Sequence, residues 1–246
     1  MENFAGRTAL ISGATRGIGR AIAGKFLAAG AHVVGIYAGN TAAAASFAKE
    51  YQQYATHFEL RQCNIANEDE VMALFTHVEK NYPTLDILIN NAGIRQDAML
   101  AMMRMEQWQR VIDTNLTGTY LMAKQAVLLM MQNKYGRIIN ITSPVAHLGF
   151  PGQANYAASK AGQVALTKTL AQEVAKKKIT VNCVSPGFIA TDFIKDLDQE
   201  QLAAYKKMVP MRRFGTPDEV ADAVLFLAGS RAAYITGTIL AIDGGL

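Results

Sequence analysis

Tyr156 and Lys160, in the run NYAASK from Asn155 to Lys160, set a phenol and an amine four residues apart in an alanine-rich stretch. In a helix, four residues advance the chain by about 6 Å and return it to nearly the same face, so both side chains would point one way. A cation beside a phenol favours the phenolate, and so tunes a group whose ordinary pKa, about 10, makes it a sluggish proton donor or acceptor near neutrality. That is acid–base chemistry on an oxygen. The same spacing recurs at Tyr120 and Lys124 in YLMAK, where a packed tyrosine and a lysine reaching for water would also account for it. Spacing alone does not separate the two pairs.

A second chemically able stretch is SGATRGIG, in which Gly13, Gly17 and Gly19 fall between an apolar strand-like run and a helical one. Glycine there lets the backbone approach a pyrophosphate, and the start of a helix offers free N–H groups and positive potential. The spacing is G-x-x-x-G-x-G. A strand before, a helix after and a second strand at the right distance favour a dinucleotide over a plain tight turn. A carboxylate at the end of the second strand would take the ribose 2′-hydroxyl of NAD, but that run ends in Tyr37 and Ala38, and no Asp or Glu occurs from residue 4 to residue 48. Arg16 lies inside the glycine loop, where a 2′-phosphate would meet it. The pattern predicts NADP(H).

These residues need a scaffold. Strands are expected over residues 8–12, 32–37, 58–63, 85–90, 137–142, 179–184 and 238–242, and helices over 19–29, 68–81, 106–134, 154–176 and 217–228. Alternating strands and helices, with several strands nearly all apolar, predict an α/β fold: one doubly wound, Rossmann-type parallel sheet of about seven strands, covered on both faces. In such sheets ligands collect beyond the C-terminal ends of the strands, where Ser143, Tyr156 and the glycine loop would meet.

The 246 residues, half of them apolar, suit one domain over 1–246. The longest apolar run, Ala126 to Met131, falls short of a membrane span, and the N-terminal residues lack a basic secretory start, so a soluble cytoplasmic protein is expected. Cys63 and Cys183 have no CxxC spacing or histidine pair nearby, which argues against a metal site, and both read as small buried apolar residues. The formal charge of +4 comes from scattered bases apart from Lys176, Lys177 and Lys178, so nucleic acid is not the expected partner.

With SGATRGIG, NNAG at Asn90 to Gly93, VIDTNLTG around Asn115, Ser143 after a strand, YAASK at Tyr156 to Lys160 and SPGFIATD from Ser185, the chain resembles the short-chain dehydrogenase/reductase family over essentially its whole length. Tyr156 follows Ser143 by thirteen residues, the family's habitual spacing, whereas Tyr120 has no such serine upstream. The resemblance implies a catalytic set of Asn115, Ser143, Tyr156 and Lys160: Tyr156 as acid, Ser143 bonding the substrate oxygen, and Asn115 interrupting its helix to hold a water that relays protons through Lys160. It implies cofactor contacts at Gly13, Thr15, Arg16, Gly17, Ile18, Gly19, Asn64, Ile65, Asn91, Gly93, Tyr156, Lys160, Gly187, Ile189 and Thr191, with Asn90 tying strands together. An aspartate commonly stands in the family where this chain has Asn64.

Within the family, NNAGIRQDAMLAMM, ITVNCVSPGFIATD and the closing AAYITGTILAIDGG resemble the branch that reduces 3-oxoacyl thioesters on acyl carrier protein in fatty acid synthesis. Acyl-CoA reduction and NADP-linked alcohol or sugar oxidation are the alternatives, and a silent nucleotide-binding regulator is the reading from another class. Lys134 and Lys177 match positions that carry basic docking residues for the acidic carrier. The resemblance also implies a homotetramer and a substrate lid over residues 192–213. Pro144 and His147, in SPVAHLG, depart from the small residues usual after the serine, and could alter the acyl pocket.

Overall fold

The computed structural model describes residues 2–191 and 198–246. Its first half alternates β1 (Thr8–Ser12), α1 (Gly17–Ala28), β2 (His32–Tyr37), α2 (Thr41–Glu50), β3 (Phe58–Gln62), α3 (Glu68–Asn81) and β4 (Ile87–Asn90). The second half runs through α4 (Met105–Ile112), a π turn (Asp113–Thr117), α5 (Gly118–Asn133), β5 (Gly136–Ile141), the short α6 (Val145–Leu148), α7 (Ala154–Val174) and β6 (Ile179–Pro186). It closes with α8 (Gln199–Met208), α9 (Pro217–Ala228) and β7 (Ile239–Ile242). The seven strands pair in the order β3-β2-β1-β4-β5-β6-β7, all parallel. The order reverses at β1, so a crevice opens beyond the ends of β1 and β4.

The central strands are apolar runs because both of their faces are covered. In β1, Leu10 and Ile11 are fully buried on opposite sides. Ile11 joins Ile22 and Phe26 of α1 and Val224 of α9, while Leu10 joins Leu74 of α3, Met122 of α5 and Val174 of α7. Each such side chain contributes about 1.5–3 kcal/mol by leaving water. The layers that result are stiff enough to hold side chains at the strand ends in fixed positions. Cys63 and Cys183 are both buried, as their spacing predicts.

Helix starts follow local chemistry. Asn67 accepts a hydrogen bond from the Glu70 amide in front of α3, and Thr216 with Glu219 forms a capping box before α9, with Pro217 in its first turn. Helix α2 is absent from the sequence expectation, although Asn40 caps it and alanines fill it. The helix expected over 106–134 is divided by the π turn, in which Asn115 spends its side-chain amide on Ile94 and Ser159, outside its own helix. Of the expected lid over 192–213, residues 192–197 lie outside the described residues; α8, capped by Asp198, occupies much of the remainder.

Candidate active site

Strand β5 delivers Ser143 just beyond its end, and α7 brings Tyr156 towards it in its first turn, close enough for the Ser143 hydroxyl to act on the phenol. One turn along α7, Lys160 is 3% exposed, with Nζ 5.5 Å from the centroid of the Tyr156 ring. Nζ donates to the Ile141 carbonyl (2.7 Å) and to Gln163 Oε1 (3.1 Å). Burial holds the amine down at about 8. Burial also pushes the Tyr156 phenol above its ordinary range, against smaller downward effects from the Ser143 hydroxyl and Arg95. The depressed phenol expected from the four-residue spacing is therefore not produced by the protein alone. The desolvation that disfavours the ammonium disfavours the phenolate too.

Asn115, fully buried in the π turn, clamps the other side of this group. Its Oδ1 accepts from the Ile94 amide (2.8 Å), and its Nδ2 donates to the Ile94 carbonyl (2.9 Å) and to Ser159 Oγ (3.1 Å). Ser159 in turn donates to the Tyr156 carbonyl at 2.7 Å. Gly93 lies against both Asn115 and Lys160: a Cβ there would stand 3.3 Å from Asn115 Oδ1 and 3.7 Å from Lys160 Nζ. The loop after β4, the π turn and α7 thus converge on one point.

The glycine loop forms the adjacent wall. Gly13 has φ +66°, and a Cβ on Gly19 would collide with the Gly13 carbonyl oxygen, so only glycine permits this turn. Asn91 Nδ2 holds the loop from behind by donating to the carbonyls of Ser12 (3.0 Å) and Gly13 (3.1 Å). The Ala14 amide ties it to the end of β2 through the Ile36 carbonyl (3.1 Å). Helix α1 has no side-chain cap and no acid in its first turn, so its free N–H groups face the crevice with their positive potential uncompensated. Exposed Arg16 stands at the N-cap position.

Comparisons bear on the same residues. A family model described as enoyl-(acyl carrier protein) reductase matches residues 13–246. A 3-oxoacyl-[acyl-carrier-protein] reductase of Synechocystis is 44% identical over 247 aligned residues, covering 100% of this chain and 99% of that one. One from Escherichia coli is 42% identical, over 99% of this chain and 98% of its own. A solved structure described as a gluconate dehydrogenase from Agrobacterium tumefaciens superposes with a TM-score of 0.94 at 33% identity, covering 99% of this chain and 96% of the other. The chain belongs to the short-chain dehydrogenase/reductase family.

As an oxidoreductase of that family it works with a nicotinamide cofactor, and the crevice fits one. The glycine turn and the uncapped start of α1 suit a pyrophosphate, and Thr191, whose Cγ2 would lie 3.5 Å from a Cβ on Gly17, faces that turn from the loop after β6. Gly187 packs so closely on Asp243 that a Cβ there would lie 2.8 Å from its Cα, and Ile189 is buried and bridged to Gly215. Thr15 is buried in the loop, and half-buried Ile18 packs on the core. Asn64 spends its Oδ1 on the Ala66 amide (3.2 Å), its own amide on Glu70 Oε2 (2.8 Å) and its carbonyl on the Asn67 amide (2.9 Å), and the Ile65 side chain packs in the core beneath Gly118, which leaves the exposed Asn64 side-chain NH2 and the Ile65 backbone for an adenine. Asn90 donates to Asn140 Oδ1 (2.8 Å) between β4 and β5, the tie expected of it.

Two other expected positions and one unexpected residue complete the surroundings of the site. His147 is exposed on α6, whose start is organised by Pro144 and by Ser143 Oγ accepting from the Val145 amide (3.4 Å). Lys134 and Lys177 precede β5 and β6, at the opposite end of these strands from Ser143 and Tyr156. Finally, Gln163 went unnoticed in the sequence. The signal was one polar residue three positions after Lys160, on the face of the helix that Lys160 shares.

Proposed function

We propose that the chain reduces 3-oxoacyl thioesters carried by acyl carrier protein to 3-hydroxyacyl thioesters in fatty acid synthesis, with NADPH as hydride donor. One observation carries the reading: Ser143 and Tyr156 sit together beside buried Lys160, in a chain 44% identical, end to end, to a protein named for that reaction. The cofactor supplies a hydride to the carbonyl carbon. Ser143 donates a hydrogen bond to the carbonyl oxygen, and Tyr156 gives its phenolic proton to that oxygen as negative charge develops. Burial keeps Tyr156 neutral, the form that reduction consumes. Lys160 stabilises the phenolate left behind, and Asn115 holds the loop and helix that carry both.

Arg16 supports NADPH over NADH, because the loop that carries it is tied through Ala14 to the end of β2, where no carboxylate competes for the ribose. Lys134 and Lys177 offer positive charge to an acidic carrier. They lie at the far end of β5 and β6 from Tyr156, so in this reading they serve the site of another copy, within a homotetramer in the cytoplasm. Exposed Leu128 and Met131 on α5 and the half-open edge of β7 are apolar surface available to such an assembly.

The test is NADPH oxidation with acetoacetyl-acyl carrier protein, acetoacetyl-CoA and crotonyl-acyl carrier protein, beside NADP⁺ reduction with gluconate. Turnover highest on the carrier-bound 3-oxo substrate is expected. Preference for the crotonyl thioester would move the reading to the activity that describes the matching family model, and preference for gluconate to that of the solved structure.

A further inference from the structure

Gln163 is fully buried on α7, yet its side chain is polar on both ends and both ends are used. Oε1 accepts from Lys160 Nζ at 3.1 Å. Nε2 donates to the Asn115 carbonyl and to Thr119 Oγ1, each at 2.7 Å. The orientation is forced: an ammonium only donates and a carbonyl only accepts, so a flipped amide would face like against like at both ends. Thr119 Oγ1 also donates to the Asn115 carbonyl at 2.7 Å, so that oxygen receives two donors and has no free lone pair. The resemblance assigns a relay water to Asn115; here an amide spans the gap between Asn115 and Lys160.

We propose that Gln163 is a positioning residue for the reaction: one side chain seats the buried Lys160 ammonium against a neutral amide oxygen and fills the carbonyl of Asn115. The inference rests on Tyr156 and Lys160 being the reacting pair. Both acceptors of Lys160, the Ile141 carbonyl and Gln163 Oε1, are uncharged. The ionisable groups that face it are Tyr156 on its own helix and Cys183 on β6, whose thiol burial pushes up and keeps neutral. Arg95 and Asp97, from the loop after β4, act on Tyr156. With no compensating carboxylate among these neighbours at hydrogen-bonding distance, the Gln163 dipole is the adjustable part of the Lys160 environment. An amide also differs from a water as a link: its two hydrogens are both committed, so it holds Lys160 in place but does not hand protons on to Asn115.

The experiment compares Gln163→Glu, isosteric but anionic, with Gln163→Met, length-matched but apolar. Lys160 is titrated in the cofactor-free protein through ¹³Cε-labelled lysine, with Lys160→Met assigning the signal, and the pH profile of kcat/KM is recorded on the same samples. Glu is expected to raise the Lys160 titration by about 1–3 units and Met to lower it, with the corresponding limb of the pH profile moving in the same direction and KM little changed. A residue that only packs would change thermal stability and leave both titrations where the wild type has them; that outcome, in variants that melt cooperatively, overturns the proposal. Because the lysine titration needs neither cofactor nor substrate, it decides the matter even if the thioester reading fails. Should Met not fold, Glu alone gives the decisive shift.

Discussion

The two tyrosine–lysine pairs have the same spacing and nearly the same internal geometry. Lys124 Nζ lies 5.9 Å from the Tyr120 ring centroid, and Lys160 Nζ lies 5.5 Å from that of Tyr156. Their surroundings differ completely. Tyr120 is 46% exposed on α5, and Lys124 reaches Glu68 at 3.7 Å through solvent. Lys160 is 3% exposed, held by two neutral oxygens, and its tyrosine stands beside a serine just past the end of β5. Helical spacing builds the pair, but only desolvation and fixed neighbours turn it into an acid with a tuned cation.

The largest effect expected from breaking that contrast is on turnover. Tyr156→Phe should lower kcat for thioester reduction by about 10²–10⁴, the usual worth of a positioned proton donor, while Tyr120→Phe stays within about twofold. Steady-state kinetics on the two variants checks this, and equal losses would dissolve the distinction between the pairs.

Stability should move in the opposite direction at the lysines. The Lys160 amine is held at about 8 in the folded chain, below its unfolded value, so the unfolded state binds the proton more readily. The folded state is penalised below that value, and the penalty fades as pH rises from about 8 towards about 10. Lys160→Met should therefore abolish most activity yet raise stability at pH 7, by on the order of 1–3 kcal/mol, with the gain shrinking as pH rises through that window. Lys124→Met should do neither. Denaturant melts of both variants across pH provide the measurement.

Exposed charges extend the comparison to smaller effects. Arg16→Ala should lower kcat/KM for NADPH by about tenfold or more, the worth of a charged hydrogen bond to phosphate, and leave NADH nearly unchanged. Charge reversal at Lys134 or Lys177 should cost at most about fivefold, seen with the carrier-bound substrate, absent with acetoacetyl-CoA, and diminished by salt. A loss with both substrates would place those lysines in folding or assembly rather than docking.

Much of the fold was legible because its signals are local. Apolar runs marked the strands, and Glu68–Asn81 and Pro217–Ala228 begin and end where capping and periodicity put them. Helix α2 was missed because a run of alanines has no apolar stripe, leaving only the Asn40 cap to announce it. The division of the helix around Asn115 was not visible as periodicity, since its causes are Ile94, Ser159 and Gln163, distant in sequence.

For the site, the residue types and their order along the chain were set by sequence alone: a glycine turn after the first strand, an arginine within it, no acid at the end of the second strand, and Ser143, Tyr156 and Lys160 in register. Those features arise from contacts within a few residues, where helix and turn geometry suffices. Tertiary structure decided which tyrosine is half-buried beside a buried lysine, that desolvation raises its phenol and lowers that lysine, and that Gln163 joins Lys160 to Asn115. Desolvation and hydrogen-bond partners depend on which distant segments exclude water from a side chain, and that depends on packing rather than on spacing along the chain.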